Sequence, residues 1–373
     1  MRRRSASASL AVVLLVVQFS VIAPIASAAD LFVDTTTDAV DADPGDGLCA
    51  TAIGECSLRA AIQETNALGG AHHITLPAGS YSLTVTGSDN DMAAALDLDV
   101  HSSITIEGAG SGSTTVSQDA GDRAFEIFAN GVSMSDFTIS DSNGGPGGAI
   151  DVSGSLDLVR MRVTGNATSG DGGAIWVEPA GTLSVSQSRI DHNAAGGAGG
   201  GILAAGVVTL ADSTIDANAA GAGGGGVEVV AGGSLTIIRS TISANAAGGH
   251  GGGVLVAGTA AITNSTISGN LAGGNGGGLA AHGGTASISY STIADNLAGG
   301  TGGVDGAVTI EGSILGENGS ENCSPGVTSG GYNVSSDGSC AFSAAGDLTG
   351  VDPMIGPLAD NGGSTRTHTP HPS

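Results

Sequence analysis

The sequence predicts an all-β protein: a right-handed parallel β-helix of three-strand coils, about 26 residues each, closed at its amino-terminal end by a short helix. Three observations predict it. One short phrase recurs at a nearly fixed interval, residues alternate apolar and polar inside each repeat, and glycine is abundant where aromatics are scarce. Glycine supplies 66 of 373 residues and aromatics 3%, without a collagen triplet. A hydrophobic content of 40% excludes a disordered chain.

The phrase stands as Ser188-Arg189-Ile190-Asp191-His192-Asn193 and returns as Ser213-Thr214-Ile215-Asp216-Ala217-Asn218. Further copies end at Asn245, Asn270 and Asn296, and a weaker one at Asn166. The asparagines fall 25 to 27 residues apart, the signature of a solenoid. After each comes a glycine-rich stretch, then a strand such as Val227-Glu228-Val229, a glycine turn, a second strand such as Leu235-Thr236-Ile237, and the Thr-Ile-Ser strand. Alternation with period two is the strand signal. With no helix between strands, leucine-rich and ankyrin repeats are excluded. Coils stacked about 4.8 Å apart put each residue under its counterpart, so Ile, Val and Leu form core columns. Asn166, Asn193, Asn218, Asn245, Asn270 and Asn296 then form a ladder of bonded amides at a buried bend. At that period the chain makes about nine or ten coils, and their open ends need covers.

The two ends read differently. Met1-Arg2-Arg3-Arg4, the apolar run from Leu10 to Ile25 and Ala26-Ser27-Ala28 together read as a secretory signal peptide over 1–28. Residues 29–70 follow as a disulfide loop with the capping helix, 71–316 as the β-helix, and 317–373 as a second disulfide region with a tail. Ser57 is the expected N-cap, Leu58, Ala61, Ile62 and Thr65 share one helix face, and Gly69 ends it. The four cysteines of an exported chain pair as neighbours, Cys49 with Cys56 and Cys323 with Cys340, because a rod holds the two couples apart. Outside the leader no run of apolar residues is long enough to span a membrane.

The formal charge is −25, and the sequence has no lysine. Such a surface excludes nucleic acid and anionic lipid as partners. It leaves two readings, solubility in salty surroundings or divalent-cation binding.

Cys56-Ser57-Leu58-Arg59-Ala60-Ala61 resembles the motif Cys-Ser-Leu-Arg-Glu-Ala, for which a family of bacterial exported right-handed β-helix proteins is named. Ala60 departs from it: the family's glutamate would complete a capping box with Ser57. Gly147-Gly148-Ala149-Ile150 and Gly172-Gly173-Ala174-Ile175 resemble the repeats of polymorphic outer-membrane proteins. The segment from Asp352 to Gly363 resembles the start of the choice-of-anchor Q module, which predicts a truncated anchor-like tail. The resemblance implies an exported surface protein with no single activity, and β-helices also host polysaccharide lyases and hydrolases.

The candidate sites lie on the strand that ends at each asparagine. With isoleucine inward, its neighbours are expected to face solvent. Arg162 then stacks beneath Arg189, and Asp191 beneath Asp216. Two carboxylates one coil apart can share a proton, hold a cation or act as the pair of a retaining glycosidase. Set against Arg162 and Arg189, they also read as plain surface ion pairs of little energetic worth. Thr214, Thr241, Thr266 and Thr292 form an exposed column, which β-propensity alone explains. Asp41, Asp43 and Asp46 in Asp41-Ala42-Asp43-Pro44-Gly45-Asp46-Gly47 look like a calcium loop, though without the ligand set of an EF-hand, and otherwise read as an ordinary turn. The histidines His72, His73, His192, His250 and His282 share no column, which speaks against zinc.

The expectation is therefore a monomeric, secreted or cell-surface protein, adhesin-like or glycan-binding, without catalysis. Its ligand would be a polysaccharide or extracellular matrix, and it needs no cofactor unless the loop takes calcium. The alternatives are a polysaccharide lyase or glycoside hydrolase acting on an acidic polysaccharide, or a passive structural rod.

Overall fold

The computed structural model describes residues 28–88 and 92–371. The leader expected over 1–28 lies outside them apart from Ala28. The chain is a right-handed parallel β-helix. Each central coil contributes a three-residue first strand, a longer second strand and a three-residue third strand, as in Val227–Val229, Ser234–Ile238 and Thr241–Ser243, whereas the first two strands run together in Leu279–Ser289. A two-residue fourth strand follows each asparagine of the repeat from Asn166 to Asn296, for example Ala246–Ala247, which the sequence did not predict.

Equivalent strands pair in parallel with the register the repeat dictates: Ile190 lies on Ile215, Ile215 on Ile242 and Ile242 on Ile267. These isoleucines are wholly buried, as are Ile175, Ile202, Val227 and Val254 of the first strands. The core is thus one column of aliphatic side chains per inward position. Fully burying each such side chain is worth about 1.5–3 kcal/mol.

The bend after the third strand carries the amide ladder. Each asparagine donates through Nδ2 to Oδ1 of the next, at 2.8–3.0 Å from Asn166 to Asn318, and the series continues onto Asn322. The Nδ2 groups of Asn193 through Asn318 also donate to carbonyls of third strands, so these buried amides are satisfied. Ser188, Ser213, Ser240, Ser265, Ser291 and Ser313 form a second ladder, in which each hydroxyl from Ser213 on accepts the N–H of the serine one coil before and that of Ser188 accepts the Met161 N–H.

The helix Leu58–Leu68 covers the amino-terminal end. Ser57 Oγ accepts the Ala60 N–H at 3.0 Å, and Gly69 ends the helix at φ 62°. Arg59 is buried with its five N–H donors in use: Nε and Nη2 clasp Asp38, while Nη1 and Nη2 reach the carbonyls of Ala93, Asp97 and Leu96. Disulfides join Cys49 to Cys56 and Cys323 to Cys340. Among the described residues no helix is long and apolar enough to cross a membrane. Beyond the last coil, Ile355–Ala359 and Thr367–Pro370 form an antiparallel hairpin that folds back onto the third strands.

Candidate functional site

The third-strand face carries the four charged residues singled out by the repeat, and their registers are as expected: Arg162 beside Arg189, Asp191 beside Asp216. Their exposure is not. Asp191 is 0% and Asp216 4% exposed, while Arg162 and Arg189 remain nearly half exposed. The ion pairs run diagonally between coils. Arg162 grips Asp191 through Nε (3.0 Å) and Nη2 (2.8 Å), and Arg189 grips Asp216 at 2.9 and 2.7 Å. A short aspartate lying under two long arginines is covered by them, which alternation along one strand does not reveal.

This geometry ties both carboxylates to arginines. Burial pushes the Asp191 carboxyl up, but bonds from Arg162 and His192 and the charge of Arg189 outweigh it and hold it below the usual value. Held ionised under the arginines, the Asp191 carboxylate is poorly placed to share a proton or to reach a glycosidic oxygen. The catalytic reading of Asp191 and Asp216 with Arg162 and Arg189 is not supported by this arrangement.

The tail changes the same face. Ser364 Oγ donates to Asp212, the Thr241 hydroxyl to the Arg366 carbonyl, and Arg366 Nη2 to Ser243 Oγ; His368 Nε2 lies 3.0 Å from Ser268 Oγ. Thr241, Ser243, Thr266 and Ser268 are consequently buried, so the threonine column is no open array.

Between the hairpin and the coils lies a groove of about 600 Å³, lined by Arg160, Arg162, Gln187, Arg189, Thr214 and Ser364 among others. A second hollow of about 400 Å³ adjoins it, bounded by Arg189, Thr214, Ser364 and Arg366. Arg239 borders the same area through its bidentate bond to Asp212, a groove residue, and Arg160 clasps Asp136 in the same way. Five of the seven described arginines therefore meet here. In four of them, Arg160, Arg162, Arg189 and Arg239, the Nε–Nη2 edge faces an aspartate, and Nη1 makes no hydrogen bond to the described residues. These free N–H groups, with the hydroxyl of Thr214, suit oxygen-rich anions.

The expected calcium loop is organised around its own backbone. Asp41 accepts the Asp43 and Ala50 N–H groups, Asp46 accepts that of Leu48, and buried Glu64 accepts those of Gly45 and Gly47. Among the described residues, the carboxylates that converge within 4.8 Å are Asp97, Asp99 and Glu126. Asp99, Glu126 and Asp151 stack on successive first strands, and Trp176 follows. Arg123 supplies positive charge to the group, 2.9 Å from Asp151 and 3.4 Å from Asp97. Burial, only partly countered by Arg123, raises the Asp151 carboxyl to about 6. It is 3% exposed. Column arithmetic also missed His250 and His282, the first in a glycine loop and the second in the strand Leu279–Ser289, which pack edge to face at 4.4 Å, with His282 on Asp305. A loop position has no fixed place in the repeat, so its spacing carried no signal.

Several solved structures are similar to this chain. The A-module of a mannuronan C-5 epimerase from Azotobacter vinelandii is 17% identical, covering 78% of this chain and 91% of its own, with a TM-score of 0.41. The pectate lyase Pel9A is 14% identical over 87% and 78%, TM-score 0.41. A mannuronic acid specific polysaccharide family 6 lyase from human gut microbiota is 13% identical over 78% and 89%, TM-score 0.34. No residue role or activity carries over at this likeness. No curated protein matches the chain. Residues 79–285 and 173–344 match the family described as "Right handed beta helix region", and with well over half its length matched, the chain belongs to that family.

Proposed function

We propose that this chain is a non-catalytic, adhesin-like glycan-binding protein that holds an acidic saccharide in the arginine-lined groove between its third strands and its carboxy-terminal hairpin. One observation carries the reading: five of seven described arginines gather around one groove in a chain of net charge −25. Elsewhere such a surface repels an anion; here guanidinium groups and hydroxyls face outward over aspartates that fix their direction. Arg bonded along one edge loses little further freedom when its other edge takes a carboxylate or sulfate. The clasped state of Asp191 and Asp216 favours binding over bond cleavage. Two disulfides fit an oxidising compartment, in keeping with display outside the cell.

The test is titration calorimetry of the purified protein with oligogalacturonides and oligomannuronates, together with a product assay for unsaturated or reducing ends. Binding without product, weakened about tenfold or more when Arg160→Gln and Arg366→Gln are combined, supports the reading. Release of product by the wild type, or affinity unchanged in that double variant, overturns it.

A further inference from the structure

The corner between the second and third strands carries a second column of side chains. Its members are Asp136, Arg160, Gln187, Asp212, Arg239, Asn264, Tyr290, Gly312, Tyr332 and Gly346, each with a positive φ between 47° and 79°. A continuous series of backbone bonds ties them in register, since each N–H donates to the carbonyl just before the next member, from Asp136 onto Val159 to Tyr332 onto Ala345. Left-handed backbone favours glycine, yet eight of these ten corners hold a larger side chain. Such side chains are retained at a conformational cost, which points to what they do at the surface. The first part of the column borders the arginine groove. The last part alternates Tyr, Gly, Tyr, Gly.

Tyr290 and Tyr332 are 61% and 69% exposed, in a chain with three tyrosines whose third, Tyr81, is buried. Each ring lies against the glycine one coil on: a Cβ on Gly312 would meet the Tyr290 ring at 2.9 Å, and one on Gly346 would overlap the Tyr332 ring. The glycines thus let both rings rest on backbone, which fixes their direction before any ligand arrives. The rings stand two coils apart, about 9.6 Å at about 4.8 Å per coil. In an extended β-1,4-linked chain, equivalent faces of the sugar rings recur at every second residue, at a similar separation. Glu311, one residue before Gly312, is exposed and acidic, which favours uncharged rings over uronates at this end.

We propose that Tyr290 and Tyr332 form a stacking subsite for two alternate rings of a neutral, β-1,4-linked glycan lying along this corner, parallel to the solenoid axis. The subsite goes beyond the arginine groove and stands whether or not that groove takes an acidic sugar.

The experiment is calorimetric titration of wild type, Tyr290→Ala, Tyr332→Ala, the double alanine variant and Tyr290→Phe with cellohexaose and xylohexaose, circular dichroism serving as the check on folding. Both residues are exposed, so the fold is expected to survive each change. At least one hexasaccharide binds the wild type. Each alanine weakens that binding roughly threefold to tenfold, the double variant weakens it further, Tyr290→Phe largely keeps it, and oligogalacturonide binding stays unchanged in all four. Wild type that ignores both hexasaccharides overturns the subsite and leaves the arginine groove standing. So does a double variant that binds them as the wild type does.

Discussion

Arg162 reaches one coil along the solenoid to clasp Asp191, with Nε and Nη2 each on one carboxylate oxygen at 3.0 and 2.8 Å. Asp191 is fully buried by that grip, with Arg189 Nε at 3.4 Å and His192 Nδ1 at 2.9 Å completing its surroundings. Removing the guanidinium in Arg162→Ala leaves a buried charge short of its principal partner. The expected loss is about 2–4 kcal/mol, near the range for breaking a buried pair. Adding Asp191→Asn to that variant should restore part of it, read as the midpoint of urea unfolding.

The same pair sets an acid limit. The folded carboxyl of Asp191 lies below its ordinary value, so the stability it contributes is present above the unfolded value near about 3.9 and is lost as pH falls through the folded one. Wild type should therefore lose stability faster than Asp191→Asn on acidification below about pH 4. Parallel curves for the two proteins in urea unfolding would contradict the assignment.

Asp151 has the opposite sign. Burial raises its folded carboxyl to about 6, so its contribution is fullest below the unfolded value and is lost as pH rises through about 6. Asp151→Asn should stabilise the protein by roughly 1–3 kcal/mol at neutral pH and by little near pH 4. Arg123 keeps Asp97, Asp122 and Glu126 as neighbours in that variant. Thermal unfolding at the two pH values checks both the sign and the window.

Within the amide ladder, Asn218 accepts the N–H and Nδ2 of Asn193 and donates to the Ile190 carbonyl and Asn245 Oδ1. Asn218→Ala strands the donors of Asn193 in a dry bend, and each unsatisfied group costs about 1–3 kcal/mol. The expected loss is about 2–5 kcal/mol, several times that of an exposed change such as Ala219→Ser. Differential scanning calorimetry of the two variants gives the comparison.

The hairpin over the third strands can be separated from the solenoid. Its contacts include hydrogen bonds to Asp212, Ser243, Ser268 and the Arg239 carbonyl, one from Thr241, and an Arg366–Asp216 ion pair at 3.6 Å, whereas the core columns lie elsewhere. A chain ending before Ile355 should keep its parallel β-helix, expose Thr241 and Thr266, and lose most binding of acidic oligosaccharide. Hydrogen exchange across 241–243 and 266–268 reports the uncovering. An unfolded product would show that the hairpin is part of the folding unit.

Much of the architecture was legible in the residues themselves. The interval between Asn166 and Asn296 determined the coil, alternation around Ile190 and Ile215 determined which side is core, and Ser57 and Gly69 marked the ends of the helix that closes the stack. These features are local or repeat with the coil, so stacking multiplies one residue's preference into a column. Asn318 and Asn322 were missed because the last coils shorten and the interval breaks. The pairing of Arg162 with Asp191 was half legible: the register was right, but the diagonal reach of a long side chain over a short one turned expected surface carboxylates into buried ones. Three features only the tertiary structure decided: the hairpin over Thr241 and Thr266, the meeting of His250 with His282, and the leaning of Tyr290 on Gly312. Each joins residues through a loop, a tail or a ring orientation, and a period in the chain specifies none of these; they depend on where the folded backbone brings surfaces together.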